Sequence, residues 1–307
     1  VPHLLFSAAA DRIEPLLPHI PNDYQIDIWP DVAHPDKVDY LIAWGDLPDG
    51  LLASCSNLRV VFSLGAGVDH LLNDPDLNDD IPIVRMVEDS LSAGMAEYVT
   101  ARVLYYHRDF HRYGKLQNQC KWQKLDQVPA GQRRIGIMGL GEMGLASARA
   151  LIPFEFDLAG LSRRRKDLPG ITSFTNDEMD DFLARTDILI NCLPITPETD
   201  GILNADLFNR LPESSFLIQV GRGEHLVNDD LITALDSGRL AHASLDVFHE
   251  EPLPGDHPFW KHSKVDVTPH IASVTDPARA MNYILNQIDK YEAGGELSNT
   301  ASRSAGY

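Results

Sequence analysis

The stretch 134-RIGIMGLGEMGLASARAL-151 decides how the rest of this 307-residue chain is read. It passes from a short apolar strand candidate through Gly139-Leu-Gly141-Glu142-Met143-Gly144 into an Ala-rich helical segment. Gly139 suits a tight turn after a strand, Gly141 lets a pyrophosphate approach the backbone, and Gly144 permits close helix–strand packing. Amides of the first helical turn then face the phosphates. A solitary G-x-G-x-x-G is weak evidence; placed after the first strand of a strand–helix series, it becomes a dinucleotide cradle.

That series follows. Further strand candidates are 156-FDLAGL-161, 187-DILINC-192, 215-SFLIQV-220, 243-ASLDVF-248 and 265-VDVTPH-270, with helical segments between them. Short, apolar and β-rich, they suit a parallel sheet covered on both faces. A second set, 3-HLLFSA-8, 24-YQIDIW-29, 39-DYLIAW-44, 59-RVVFSL-64 and 82-PIVRM-86, precedes it and reads as a smaller α/β domain. Residues 92–111 have helical spacing, 114–131 look irregular, and 275–294 form a last helix expected to return to the first domain. The pair in 107-HRDFH-111 reads as helix surface.

About twenty residues beyond the cradle, an enzyme selecting NAD places an acid at the next strand end to accept from the ribose 2′-hydroxyl. Here the sequence is 162-SRRRK-166, in a chain of net charge −19. An acid would repel a 2′-phosphate, whereas Arg grips one through paired donors. Ser162, Arg163 and Arg164 are therefore expected to clamp the 2′-phosphate of NADP(H), with NAD(H) a weaker cofactor. Arg165 and Lys166 read as solvated.

The excess of 45 acidic over 26 basic residues argues against a nucleic-acid partner, which needs bases to neutralise phosphate. No apolar run approaches the roughly 18 residues needed to cross a bilayer. Cys55, Cys120 and Cys192 stand apart, without CxxC or zinc spacing, which points to a reducing cytoplasm and no structural metal.

Three later strands deliver an ionisable residue near their carboxyl ends, where such folds bind cofactor and substrate. These are Arg222 in QVGRGE, Glu251 in DVFHEEP and His270 in TPHIA. Singly, each has an ordinary alternative as a surface ion-pair partner, a helix cap or a structural histidine. Jointly, placed after a cofactor cradle, they form a candidate site that those alternatives do not explain.

The chain resembles the D-isomer-specific 2-hydroxyacid dehydrogenase family. The resemblance spans nearly all of it, through 63-SLGAGVDHL-71, 85-RMVEDSLSAGMAEYV-99, GLGEMG, 193-LPITPETDGILNADLF-208, QVGRGEHLV, LDVFHEEPLP and TPHIASVT. It implies an α/β fold of two Rossmann-like domains, a doubly wound parallel-sheet dinucleotide-binding domain (98–271) inserted into a smaller flavodoxin-like substrate domain (1–97 and 272–307). By the same resemblance the catalytic trio is Arg222, Glu251 and His270. Asp246 accepts from the nicotinamide carboxamide, and Leu193, Pro194 and Val220 line the cofactor. The amides of Ala66 and Gly67 receive the substrate carboxylate, and Trp44 covers a small substrate. A homodimer through the segment around Ala96–Tyr106 is also implied. The expected activity is reduction of glyoxylate or hydroxypyruvate; broader 2-ketoacid reduction and a non-enzymatic dinucleotide-sensing scaffold are the alternatives.

Overall fold

A computed structural model describes residues 1–301, except for the side chain of Asp69. The chain divides into two compact units, one comprising Val1–Leu91 with the segment from Val274 onward, the other Ser92–Ser273.

The first unit is built on five parallel strands: β1 (His3–Ser7), β2 (Gln25–Ile28), β3 (Tyr40–Ala43), β4 (Val60–Ser63) and β5 (Ile83–Val84). Their order, β2-β1-β3-β4-β5, is that of flavodoxin-like folds. β1, β3 and β4 are buried throughout, as strands covered on both faces must be. The helix Pro277–Glu292 belongs to this unit. Pro277 opens it and Asp276 caps it by accepting from Arg279 N–H at 2.8 Å, so the chain enters the helix with its first donors satisfied. Glu292 at its far end accepts from Tyr40 and Arg59, and the Tyr283 hydroxyl donates to the Arg85 carbonyl at 3.1 Å.

The second unit carries seven parallel strands: β6 (Arg134–Met138), β7 (Asp157–Leu161), β8 (Thr172–Phe174), β9 (Ile188–Asn191), β10 (Ser215–Gln219), β11 (Leu240–Leu245) and β12 (Val265–Val267). The order is β12-β11-β10-β9-β6-β7-β8, a doubly wound sheet whose sequence reverses between β6 and β9. Alternate residues of β9 serve opposite cores: Leu189 joins Leu217 on one face, while Ile188 and Ile190 join Ile135 and Ile137 on the other. Onto the latter face the helix Asp89–His107 lays Met95, Val99, Val103 and Tyr106, a spacing that keeps one side of a helix on the sheet.

Several elements differ from the sequence expectation. The long helix breaks at Asp109, which takes the left-handed conformation (φ 56°) that a short polar side chain tolerates, and a second helix, Phe110–Asn118, extends into the stretch read as irregular. His107 and His111 are not helix surface. His107 is buried edge-on against Phe156, and His111 packs against Tyr106, Phe216 and His242, where burial, then the neighbouring His242, depresses it to about 4. β8 was missed because it is a three-residue edge strand with two polar positions. β11 begins at Leu240 rather than Ala243 and stops before Asp246, and β12 stops at Val267. Asp246 and 268–270 therefore lie in turns beyond the strands, where side chains are free to converge.

Candidate active site

β6 and β9 are neighbours at the reversal of strand order, the place where doubly wound sheets open a crevice beyond their carboxyl ends. The chain leaves β6 through Gly139 with φ +90°, a conformation only glycine adopts cheaply, and the Gly139 N–H donates to the Leu161 carbonyl at 2.9 Å. A Cβ on Gly144 would stand 1.9 Å from the Gly139 carbonyl oxygen, so the helix Glu142–Leu151 seats directly against the turn. Around Gly141 no protein atom lies within 4 Å of a Cβ position. Glu142 and Met143 form the first turn of that helix. Leu193 and Pro194 lie just past β9, beyond Cys192, and Val220 follows β10. The local geometry thus suits a pyrophosphate at the helix start.

The basic run leaves the end of β7. Its members part company. Arg163 and Arg164 are exposed, and Ser162 Oγ donates to the Arg164 carbonyl at 2.8 Å, which shapes the turn that presents them. Arg165 and Lys166 are not merely solvated, contrary to the sequence reading. Arg165 makes paired bonds to the Glu178 carboxylate at 2.5 and 2.6 Å and another to the Ser173 carbonyl, while Lys166 Nζ donates to the Leu140 carbonyl inside the cradle. Opposite charge is supplied to Arg165 by Glu178, and the charge of Arg163 acts on the Glu198 carboxyl.

The structure brings Glu251 and His270 together. His270 Nδ1 and Glu251 Oε2 are 2.7 Å apart, and the Phe248 N–H donates to Glu251 Oε1 at 3.0 Å, so both carboxylate oxygens are held. Burial alone would raise the Glu251 pKa; the hydrogen bond and charge of His270, the Phe248 amide and the charge of Arg222 outweigh it and leave the carboxyl below its ordinary range. His270 sits at φ 52°, and its N–H donates to the Asp246 carbonyl at 2.9 Å. Arg222 occupies the turn after β10. Its neighbour Gly223 packs so tightly on the Phe248–His249 peptide that a Cβ would meet the Phe248 carbonyl carbon at 2.0 Å. That contact ties the arginine's turn to the loop that holds Glu251.

Asp246 lies under the His270 turn and is almost wholly buried. Its Oδ1 accepts from Thr268 Oγ1 at 2.6 Å and Ile271 N–H at 2.9 Å, and its Oδ2 from Ala272 N–H at 2.7 Å. Burial raises its pKa, against these bonds and the charge of His270. A carboxylate offers about four acceptor sites, so Oδ2 retains capacity for one further donor such as a carboxamide.

In the first unit Trp44 and the 65–67 segment share one neighbourhood. A Cβ on Gly65 would stand 2.0 Å from the Trp44 ring, and Arg12 lies over that ring at 4.4 Å. Ser63 Oγ accepts from the Gly65 N–H and donates to the Gly67 carbonyl at 3.2 Å, so the turn bearing Ala66 and Gly67 is braced from β4.

Residues 100–272 match the family model described as D-isomer specific 2-hydroxyacid dehydrogenase, NAD binding domain. The chain belongs to the D-isomer-specific 2-hydroxyacid dehydrogenase family. Solved members resemble it end to end. A D-isomer-specific 2-hydroxyacid dehydrogenase from Xanthobacter autotrophicus Py2, in complex with NADPH and MES, is 36% identical over 100% of this chain and 99% of its own (TM-score 0.92). An NADPH-dependent glyoxylate/hydroxypyruvate reductase from Sinorhizobium meliloti, in complex with NADP and sulfate, is 35% identical over the whole of both chains (TM-score 0.94). A probable 2-hydroxyacid dehydrogenase from Rhizobium etli CFN 42, in complex with NADP, HEPES and L(+)-tartaric acid, is 34% identical over both whole chains (TM-score 0.92). Members of this dehydrogenase family are NAD(P)-dependent oxidoreductases of 2-hydroxyacids. Among the described residues, no helix is long and apolar enough to cross a membrane.

Sequence reasoning passed over the polar residues that support these turns: Asn191, Gln219, His225 and Thr268 in the second unit and, separately, Ser63 in the first. The available signal was a polar residue ending an otherwise apolar strand, as in ILIN and SFLIQ.

Proposed function

We propose that this chain is an NADPH-dependent 2-ketoacid reductase that converts glyoxylate to glycolate and hydroxypyruvate to D-glycerate. The observation that carries the reading is the His270–Glu251 pair at 2.7 Å, beyond the carboxyl ends of the same sheet that bears the glycine cradle. When bound, the nicotinamide supplies a hydride to the carbonyl carbon. Arg222 binds the ketoacid carboxylate and polarises the carbonyl through its donor fork. His270, protonated at the nitrogen facing substrate, gives the carbonyl oxygen its proton, and Glu251 stabilises the charged ring and fixes its orientation.

Preference for NADPH rests on Arg163 and Arg164, exposed after β7 where an acid would select NADH, and on three relatives described with NADPH or NADP. Gly139, Gly141, Glu142, Met143 and Gly144 hold the pyrophosphate, Ser162 supports the arginines, Leu193, Pro194 and Val220 line the cofactor, and Asp246 Oδ2 takes the carboxamide. Within the first unit, Trp44 and the Ala66 and Gly67 amides serve the substrate. The enzyme acts as a homodimer through the segment around Ala96–Tyr106, in a reducing compartment where its cysteines stay free thiols; light scattering that returned a monomer mass would reject the dimer. The deciding assay follows NADPH oxidation with glyoxylate and hydroxypyruvate. Turnover of both supports the reading, and none with either overturns it.

A further inference from the structure

Arg222 is gripped at both of its main-chain polar groups. Its N–H donates to His225 Nδ1 at 2.9 Å, and its carbonyl accepts from Gln219 Nε2 at 2.7 Å. Neither support ends there. His225 Nε2 lies 3.1 Å from the Pro194 carbonyl. Gln219 Oε1 accepts from Asn191 Nδ2 at 2.8 Å, and Asn191 Oδ1 accepts from the Leu193 N–H at 3.3 Å. His225 Nδ1 also lies 3.0 Å from the Arg222 carbonyl. Two polar rails therefore run from the Leu193–Pro194 segment to the main-chain N–H and carbonyl of Arg222.

All three intermediaries are fully buried: Asn191, Gln219 and His225 are each 0% exposed. Buried polar groups cost stability unless every one is satisfied, and when satisfied they specify one geometry. Apolar residues at the same positions would pack the sheet end without that cost. The packing is also tight: a Cβ on Gly221 would stand 2.8 Å from His225 Nδ1 and 2.9 Å from Asn191 Nδ2. The His225 tautomer follows from its partners. The Arg222 carbonyl near Nδ1 already accepts from Gln219. The Arg222 N–H only donates and the Pro194 carbonyl only accepts, so Nε2 carries the proton and Nδ1 receives the Arg222 N–H. Burial, opposed in part by the Pro194 and Arg222 bonds, lowers the His225 pKa and keeps the ring neutral.

We propose that His225 is a positioning residue that couples the Leu193–Pro194 cofactor segment to Arg222, with Gln219 and Asn191 as the second rail. The inference rests on the assignment of Arg222 to substrate and of Leu193 and Pro194 to cofactor. Its two nitrogens do separable work. An Asn side chain places an acceptor near the Nδ1 position and loses the reach to Pro194; a Gln side chain places a donor near Nε2 and loses the acceptor for Arg222.

The experiment compares His225→Asn with His225→Gln in the full chain, measuring NADPH dissociation by fluorescence and ketoacid KM and kcat with glyoxylate. Loss of one neutral hydrogen bond is worth about fivefold. His225→Asn is expected to weaken NADPH about fivefold with little change in glyoxylate KM at saturating cofactor. His225→Gln is expected to raise glyoxylate KM about fivefold with NADPH affinity retained. Equal damage to both affinities in both variants, tracking a common drop in thermal stability, would reduce His225 to a packing role and overturn the proposal. Should either variant not fold, Gln219→Met, which cuts the other rail, is expected to raise glyoxylate KM in the same way; an unchanged KM there would count against the coupling. A parent that binds NADPH but reduces no ketoacid would refute the functional reading instead, and the NADPH arm would still decide whether His225 holds the Pro194 segment.

Discussion

The glycine cradle and the Arg222–Glu251–His270 site lie beyond the same sheet edge and are built on opposite principles. The cradle is made of main chain: a positive φ at Gly139, a helix seated by Gly144, and amides at a helix start. Side chains enter it little, Lys166 at the Leu140 carbonyl being one that does. The second site is made of side chains from three separate turns, and each has to be held. Glu251 is fixed by the Phe248 amide, His270 by the Asp246 carbonyl, and Arg222 by His225 and Gln219. A backbone site tolerates substitution everywhere except at its glycines. A side-chain site is sensitive both at its reacting groups and at the buried residues behind them.

If the two regions are separable in this way, removing a reacting side chain should abolish chemistry and leave cofactor binding intact. His270→Ala is expected to lower ketoacid reduction by about 10²–10⁴-fold, the usual contribution of a general acid. NADPH affinity, followed by fluorescence titration, should stay near the parent value. Near-parental turnover would remove His270 as the proton donor. Loss of cofactor binding alongside turnover would show that the two regions are not separable.

The next effect sharpens the comparison from the cofactor side. Replacing Arg163 and Arg164 together with Ser should erase about 3 kcal/mol of preference for NADPH over NADH, or about 10²-fold in the ratio of kcat/KM values, as expected for lost charge-assisted bonds. Turnover with saturating NADH should persist. Arg165→Ser serves as the contrast, since that guanidinium is already occupied by Glu178; it should leave the preference in place. A preference that survived the double replacement would transfer the 2′-phosphate to other bases.

How much of this was legible beforehand follows the same division. The cradle could be read from six consecutive residues because its requirements are local, a turn and two close approaches. The fold was legible for a similar reason: strands buried on both faces appear as short apolar runs whatever packs on them. Arg222, Glu251 and His270 could be nominated because their turns follow strand ends. Their supports could not, because what makes Asn191, Gln219 and His225 important is that three distant segments link them by hydrogen bonds to the main chain of one residue, Arg222. Burial is likewise a property of the assembled fold. The histidines of HRDFH looked like helix surface because the sequence does not show that a second helix starts at Phe110 and turns His111 towards Phe216 and His242. The split within SRRRK was hidden for the same reason, since Glu178 reaches Arg165 only once β8 is in place.

A glycine of the cradle should behave as the backbone argument requires. Gly144→Val puts a branched side chain where even a Cβ meets the Gly139 carbonyl at 1.9 Å, so the helix must move away from the turn. Overpacking of this kind costs about 1–3 kcal/mol of stability. Thermal unfolding should show that loss, and NADPH affinity should fall with it because the helix start is displaced. Gly141→Ala, where no protein atom lies within 4 Å of the Cβ position, should leave stability unchanged and affect only cofactor binding. Equal stability losses at the two positions would contradict the division of labour between them.

The smallest expected effect lies inside the side-chain site and is visible mainly through pH. Glu251→Gln keeps an oxygen to accept from His270 but removes the charge, and the difference between a charged and a neutral hydrogen bond is about 1 kcal/mol, or about fivefold. The sign follows from linkage. Burial pushes the Glu251 pKa up, but His270, the Phe248 amide and Arg222 bring it below the ordinary 4.5. Its stabilising contribution is therefore fully present above about 4.5 and is lost as pH falls through the depressed native value, so the stability gap between parent and variant should close only under acid conditions. Turnover should follow the same window. With glyoxylate, kcat of Glu251→Gln should fall about fivefold below the parent wherever the parent carboxylate is charged, and the two profiles should converge only as pH drops through the depressed Glu251 value and the parent loses that charge. A deficit that stayed constant into acid would leave Glu251 with orientation alone.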